Sequence, residues 1–223
     1  MKLRVHTLRL LSLYLFALAL ASQAPVAVAA DFESELLSIQ HAWDSASYAS
    51  PDTDTKKRGL EALSERVRAF ATANPNRAEA LVWQGIVLSS YAGAKGGFGA
   101  LSLAKQARDS LLAAVKIDPD ALHGSAYTSL GALYYKVPRF PIGFGDHDAA
   151  AEYLKKALAE NPDGIDPNFF YGEFLFEEGD YTHSLEYLQK ARNASPRPDR
   201  PLADTGRRGE IDALITRVRE KMS

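Results

Sequence analysis

From Asp31 to Met222 apolar residues recur at helical spacing, and short polar breaks divide them into pairs. Phe32, Leu36, Ile39, Trp43 and Ala46 make one stripe. Ser50-Pro51-Asp52 interrupts it, and Leu60, Leu63, Val67 and Phe70 make the next. A second pair runs from Ala78 to Asp118, with Leu81, Val82, Gly85 and Leu88 on its first helix and a second helix from about Leu101 to Ile117. A third spans Leu122 to Glu160. The last, Ile165 to Pro196, is the most regular. Gly172 lies among apolar residues, Gly179-Asp180-Tyr181 makes a turn, and Leu185, Leu188 and Ala191 mark an inner face. Arg197 to Pro201 reads as a stiff proline-spaced linker, and Leu202 to Met222 as a final basic helix with a solvated outer face. The pattern predicts an all-α protein.

The pairs are copies of one unit. Pro75, Pro119, Pro162 and Pro196 each close an apolar run, at separations of 44, 43 and 34 residues. Proline stops a helix because it lacks the N–H and clashes with the preceding turn. Four such stops in register indicate an internal repeat.

These residues resemble the tetratricopeptide repeat (TPR), a helix–turn–helix of about 34 residues. In that family small residues fall at positions 8, 20 and 27 and proline at 32, where helices approach closely. The matching residues here are Gly172, Ser184, Ala191 and Pro196 in the last repeat. In the middle one they are Gly131, Ala150, Ala157 and Pro162, and earlier Gly85, Ala107, Ala114 and Pro119. The resemblance implies a TPR-like α-solenoid, a right-handed stack of about four helix pairs near 31–75, 78–119, 122–162 and 165–196. Residues 197–223 then supply a linker and a capping helix over the exposed edge of the last pair.

Two repeats exceed the family spacing. Positions 8 and 27 lie 19 residues apart in the last repeat, but 26 and 29 apart in the two before. The extra residues fall at Gly93-Ala94-Lys95-Gly96-Gly97-Phe98-Gly99 and at Val137 to Asp146. The glycine-rich stretch reads as a mobile or sharply bent connection; the other reading is an anion cradle at a helix N-terminus. It is not a P-loop, since the Gly-Lys-Ser/Thr step and the preceding strand are missing. In the second insertion Phe140, Ile142 and Phe144 either fold back to plug the repeat interface or form a lip for a partner. Asp146 is placed to cap the following helix. Lys95, Phe98, Arg139, Phe140 and Phe144 are the candidate binding residues of these insertions. The run Pro-x-x-x-Gly-x-Gly-Asp with Ala149, Ala150, Tyr153, Leu154 and Ala157 also resembles T components of TRAP transporters. Those are larger periplasmic TPR lipoproteins that associate with a solute-binding protein.

Composition narrows the setting. Residues 1–30 have the pattern of a signal peptide: Lys2, Arg4 and Arg9 in front, an apolar run Leu10 to Leu20, Pro25, then small residues Ala27 to Ala30. The alternative is an uncleaved anchor, for which the run is short. The chain is therefore expected to be periplasmic or secreted, with no membrane insertion after cleavage. With no cysteine among its 223 residues, disulfides, thiolate nucleophiles and a lipobox anchor are excluded. Removal of the leader's three Lys/Arg takes the formal charge from −2 to −5, and a mildly acidic mature chain argues against nucleic acid as the main partner.

No catalytic constellation emerges. His41, His123, His147 and His183 are dispersed and lack metal-ligand spacing. Asp146-His147-Asp148 reads as a capping turn, because neighbouring helical residues point apart. The expectation is a non-enzymatic protein without metal or cofactor. A hydrolase would need titratable groups converging in one pocket.

What remains is the concave face of the first helices. By family position it carries Glu79, Val82, Ile86, Ser89 and Ser90, then Ser125, Thr128, Ala132, Tyr135 and Lys136, then Asp166, Phe169, Glu173, Phe176 and Glu177. Tyr135, Lys136, Phe169, Glu173, Phe176 and Glu177 are the candidate groove residues for a protein or peptide. Phe169 and Phe176 either line the groove or pack against the inserted loops. A TRAP-T-like accessory handling a small solute or a solute-binding protein stands as the alternative. An open groove with exposed aromatics favours a protein partner, and an enclosed apolar cavity favours a solute.

Overall fold

The structure, a computed structural model, describes residues 24–223, with side chains from Asp31 onward. The expected leader thus lies outside the described residues except for the backbone of 24–30, which is helical. The helices are α1 (Ala24–Tyr48), α2 (Thr53–Ala73), α3 (Ala78–Lys95), α4 (Gly97–Ile117), α5 (Ala121–Lys136), α6 (His147–Glu160), α7 (Ile165–Glu177), α8 (Tyr181–Asn193) and α9 (Pro201–Met222). No strand occurs among the described residues, only an isolated bridge between Arg139 and Gly145. Two compact units divide within α1, after Ser38. The first is described through α1 alone, where Phe32 and Leu36 are buried. The rest concerns the second, residues 39–223.

The second unit is the all-α repeat array. Its strongest packing lies within the pairs α3–α4, α5–α6 and α7–α8, and each pair also meets the next. One lock recurs at the heart of each pair. A Cβ added to Gly85, Gly131 or Gly172 would lie 2.4, 2.5 or 2.9 Å from the Cγ of Leu111, Leu154 or Leu188. All three leucines are 0 % exposed. The leucine occupies the same register in every pair, three residues before the alanine at position 27 (Ala114, Ala157, Ala191). Only a missing side chain on the first helix admits a leucine so close to its axis. Ser184 adds a bond the alanine pairs lack, its Oγ donating to the Gly172 carbonyl at 2.8 Å.

Both inserted segments are ordered: the first is the sharply bent connection expected, confined to fewer residues than its glycines suggest, and the second combines its two readings. The glycine-rich stretch is not a loop. Helix α3 continues to Lys95 and α4 begins at Gly97, so most of the extra residues lengthen the helices. Gly96 and Gly97, both at φ 62°, make the reversal, a conformation that side-chain-bearing residues rarely adopt. The second insertion is a tight loop. The Gly145 N–H donates to the Pro138 carbonyl and the Asp146 N–H to the Tyr134 carbonyl, both at 2.9 Å. Here the two readings divide the loop between them. Phe144 folds back edge-on to Tyr134 with the Arg108 guanidinium over its ring, whereas Phe140 and Ile142 point outward. Asp146 caps α6, accepting from the Asp148 and Ala149 N–H groups. The start of α5 also departs from simple periodicity. Leu122 and His123 are left-handed at φ 51° and 55°, ahead of Gly124 at 70°.

Helix α9 caps the array and occupies the place of a further first helix, packed on both α8 and α7. Ile211, Leu214, Ile215 and Val218 share a core with Ile165, Phe169, Phe176, Leu188 and Ala191.

The lock yields a direct test. Leu154→Ala should cost about 2–5 kcal/mol in denaturant unfolding. Gly131→Ala should cost about 1–3 kcal/mol through overpacking. The double variant should cost less than their sum, because the space vacated by Leu154 receives the new methyl. Strict additivity would show that the two residues are not in the contact described.

Candidate functional site

The first helices wall a cavity of about 1420 Å³. On α3 and α5 its lining carries small or hydroxyl-bearing residues: Ser89 and Ser90 of α3, then Ser125, Thr128, Ser129 and Ala132 of α5. Trp43, Trp83, Ile86, Leu133 and Phe170 add apolar wall, and Phe98 and Ile142 stand at the edge. Small side chains on the inner faces leave the space open, and the glycine–leucine locks hold the helices around it. The volume exceeds the roughly 300–1,000 Å³ of ordinary small-molecule sites.

A charged clasp between the first and last parts of this unit contributes Arg197, Arg200 and Arg207 to the cavity lining. Arg200 forms a salt bridge to the Asp44 carboxylate of α1. Its guanidinium lies 5.5 Å from the Trp43 ring and 4.9 Å from that of Trp83. The Trp43 indole N–H donates to Ser90 Oγ at 2.8 Å, tying α1 to α3. Tyr48 packs where a Cβ on Gly206 of α9 would clash, so this glycine lets α9 lie against α1. Alongside, Asp166 at the start of α7 receives Arg197 Nη1 at 2.7 Å and Arg207 Nε at 2.9 Å. Arg197 also bonds Asp204, and Arg207 bonds Glu210.

The electrostatics of this cluster follow from its pairing. Burial opposes ionisation of Asp166, but the Arg207, Arg197 and Arg200 guanidiniums outweigh it and hold the carboxyl at about 2. Burial pushes the Tyr48 phenol up, so it keeps its proton. Burial also opposes the charge on Arg207, yet Asp166 raises its affinity for the proton overall. Titratable groups do converge here, as a hydrolase would require. They are saturated by one another, however, and neither Asp166 nor Tyr48 is poised near neutral pH for proton transfer.

The structure distributes the sequence-derived candidates widely. Tyr135, Lys136 and Glu173 come together: the Tyr135 hydroxyl donates to Glu173 Oε2 at 2.5 Å and Lys136 Nζ to Oε1 at 2.9 Å. Of these three, Lys136 reaches the cavity wall. Phe169 and Phe176 are buried beneath α9 and do not face the groove, with Arg207 over one ring and Arg217 over the other. The cover is therefore the capping helix, not the inserted loops. Glu177 is exposed at the end of α7. Lys95 is exposed and donates to the Tyr91 hydroxyl at 3.2 Å. Phe98, Arg139 and Phe140 are exposed, and Phe144 is packed.

Sequence reasoning missed Arg197, Arg200 and Arg207, which it assigned to a linker and a solvated helix face. A usable signal existed. Both tryptophans of the chain, Trp43 and Trp83, fall on first helices, and an indole face attracts a guanidinium. Among the described residues no group of three His, Asp or Glu is placed to hold a metal ion.

The fold and cavity define an all-α helical-repeat protein. The family model described as tetratricopeptide repeat matches residues 142–204, from the second insertion through α6, α7 and α8 into α9. That stretch matches the tetratricopeptide repeat, and the helix pair before it carries the same glycine–leucine lock. Two solved structures are similar. One, titled crystal structure of MamA, is 21% identical, covers 78% of this chain and 96% of its own, and has a TM-score of 0.43. Another, titled crystal structure of MamA protein, is 21% identical over 84% of this chain and 92% of its own, at TM-score 0.40. No curated protein matches the chain.

The clasp predicts an acid dependence. The folded carboxyl of Asp166 lies below its ordinary 3.8, so its stabilisation is complete above that value and is lost as pH falls toward 2. Asp166→Asn should flatten this part of the curve of urea midpoint against pH. Arg207→Met should cost about 2 kcal/mol at neutral pH, less than in a fully buried pair because Asp166 keeps Arg197 and some solvent. An unchanged acid slope in Asp166→Asn would remove Asp166 from the account.

Proposed function

We propose that this chain is a non-enzymatic interaction module that takes a segment of a protein or peptide partner into the cavity of its first helices. Tetratricopeptide repeats are protein-interaction modules, and the match at 142–204 supports that much. The observation carrying the finer reading is the cavity itself: about 1420 Å³, walled by hydroxyls and small side chains on α3 and α5 and flanked by Trp83, Ile86 and Phe170. Such a wall offers hydrogen bonds to a backbone and apolar contact to its side chains. The mutual saturation of the charged clasp supports binding over catalysis. Lys2, Arg4, Arg9 and the apolar run after them support a periplasmic or secreted setting.

The Arg200–Asp44 clasp favours a second reading, in which a compact solute replaces the peptide, as in an accessory resembling TRAP T components. A cavity lined largely by apolar side chains, with the clasp arginines beside it, offers a compact solute both apolar contact and charge.

Ser129→Trp fills the cavity from α5 and separates these ideas from a site elsewhere. Peptides selected from a random display library on the wild type should lose at least tenfold in affinity for the variant, at unchanged Tm. Selected peptides that bind both proteins equally would place the site outside the cavity. Solutes that raise the wild-type Tm but not that of Ser129→Trp, with no peptides selected, would favour the second reading.

A further inference from the structure

Three large apolar side chains stand out from the surface, and all belong to the inserted segments. Phe98 is 106%, Phe140 89% and Ile142 70% exposed, more than any other large apolar side chain among the described residues. Phe98 and Ile142 line the same cavity, so the α3–α4 joint and the loop before α6 border one opening. Phe140 sits two residues from Ile142, whose N–H donates to the Arg139 carbonyl at 3.1 Å.

The sequence that carries these tips is rich in one sign of charge, although Asp109 and Asp146 border it and Arg108 and Lys136 are paired with Asp109 and Glu173. The chain has 28 Asp and Glu, yet none falls in 80–108 or in 121–145, the stretches that carry both tips. Those stretches hold Lys95, Lys105, Arg108, Lys136 and Arg139. Lys95 and Arg139, both exposed, directly flank the apolar tips. In a chain of net charge −2, this is a local cationic and apolar face.

From this arrangement we infer that the rim formed by Phe98, Phe140 and Ile142, with Lys95 and Arg139, docks on an anionic phospholipid surface. Aromatic and aliphatic side chains enter the interfacial layer, and the cations meet lipid phosphates. The relief of the tips favours a bilayer over a protein. A Cβ on Gly93, Gly96 or Gly97 would meet no atom within 4 Å, and beside Gly99 lies only the Lys95 side chain, so the ground around Phe98 is nearly bare. A protein partner needs a surrounding surface to exclude water from its anchors; a fluid bilayer supplies that surface itself. The contact is peripheral, for no helix among the described residues is long and apolar enough to cross a membrane. It holds whatever occupies the cavity.

The absence of cysteine from the chain gives a site-specific test. Phe98→Cys, Phe140→Cys and, on α8 away from the cavity, Glu186→Cys are each labelled in the full chain with an environment-sensitive fluorophore. Each is mixed with vesicles of phosphatidylcholine, with and without phosphatidylglycerol. The labels at 98 and 140 should shift to the blue and become shielded from iodide on the anionic vesicles, while that at 186 stays in water. Adding Lys95→Gln and Arg139→Gln should weaken the effect roughly tenfold, given the attraction of each basic residue to an anionic leaflet. These labels report the tips themselves, separately from any tether through Leu10 to Leu20. Labels at 98 and 140 that stay in water on vesicle-bound protein would overturn the proposal, as would an equal change at 186. So would a shift that grows with protein concentration in the absence of lipid, which would assign the rim to a second copy of the chain.

Discussion

The array depends on one steric fact, repeated three times. A leucine of the second helix in each pair enters the space above a glycine of the first. Gly85 with Leu111, Gly131 with Leu154 and Gly172 with Leu188 set how closely each pair packs. That close packing brings the next pair into register and leaves the inner faces of the first helices directed at a shared space. The cavity follows from this packing, since its wall residues are those left over once each lock is made.

The locks were legible because they are local. Glycine, alanine and serine at fixed offsets, closed by proline, can be read without knowing where anything lies in space. The insertions were legible only as excess length. Gly93 to Gly99 reads as a loop by glycine content, yet helical hydrogen bonding carries α3 to Lys95 and the reversal is confined to Gly96 and Gly97. Phe169 and Phe176 occupy groove positions in the repeat frame, but α9 arrives as another first helix and covers them. That outcome depends on where a basic helix some 30 residues later docks, which no local pattern specifies.

The clasp was hidden for the same reason. Asp44 and Arg200 are 156 positions apart, and neither stands out among its neighbours. Isolated in sequence, Arg197, Arg200 and Arg207 look like ordinary surface charge. In space they neutralise Asp166, Asp204, Asp44 and Glu210 beside the aromatic wall formed by Trp43 and Trp83. Positions read from the repeat frame therefore coincide with the cavity lining on α5, at Ser125, Thr128, Ala132 and Lys136, but not with the arginine cluster.

An open helical-repeat array is held together only by neighbours, so its terminal unit can melt while the middle survives. Gly206 against Tyr48 and Arg200 against Asp44 remove that possibility for residues 39–223. With the last helix resting on the first, there is no loose end at which fraying begins. Opening one of these junctions strains the other, so residues 39–223 should unfold more cooperatively than an open array of the same repeats.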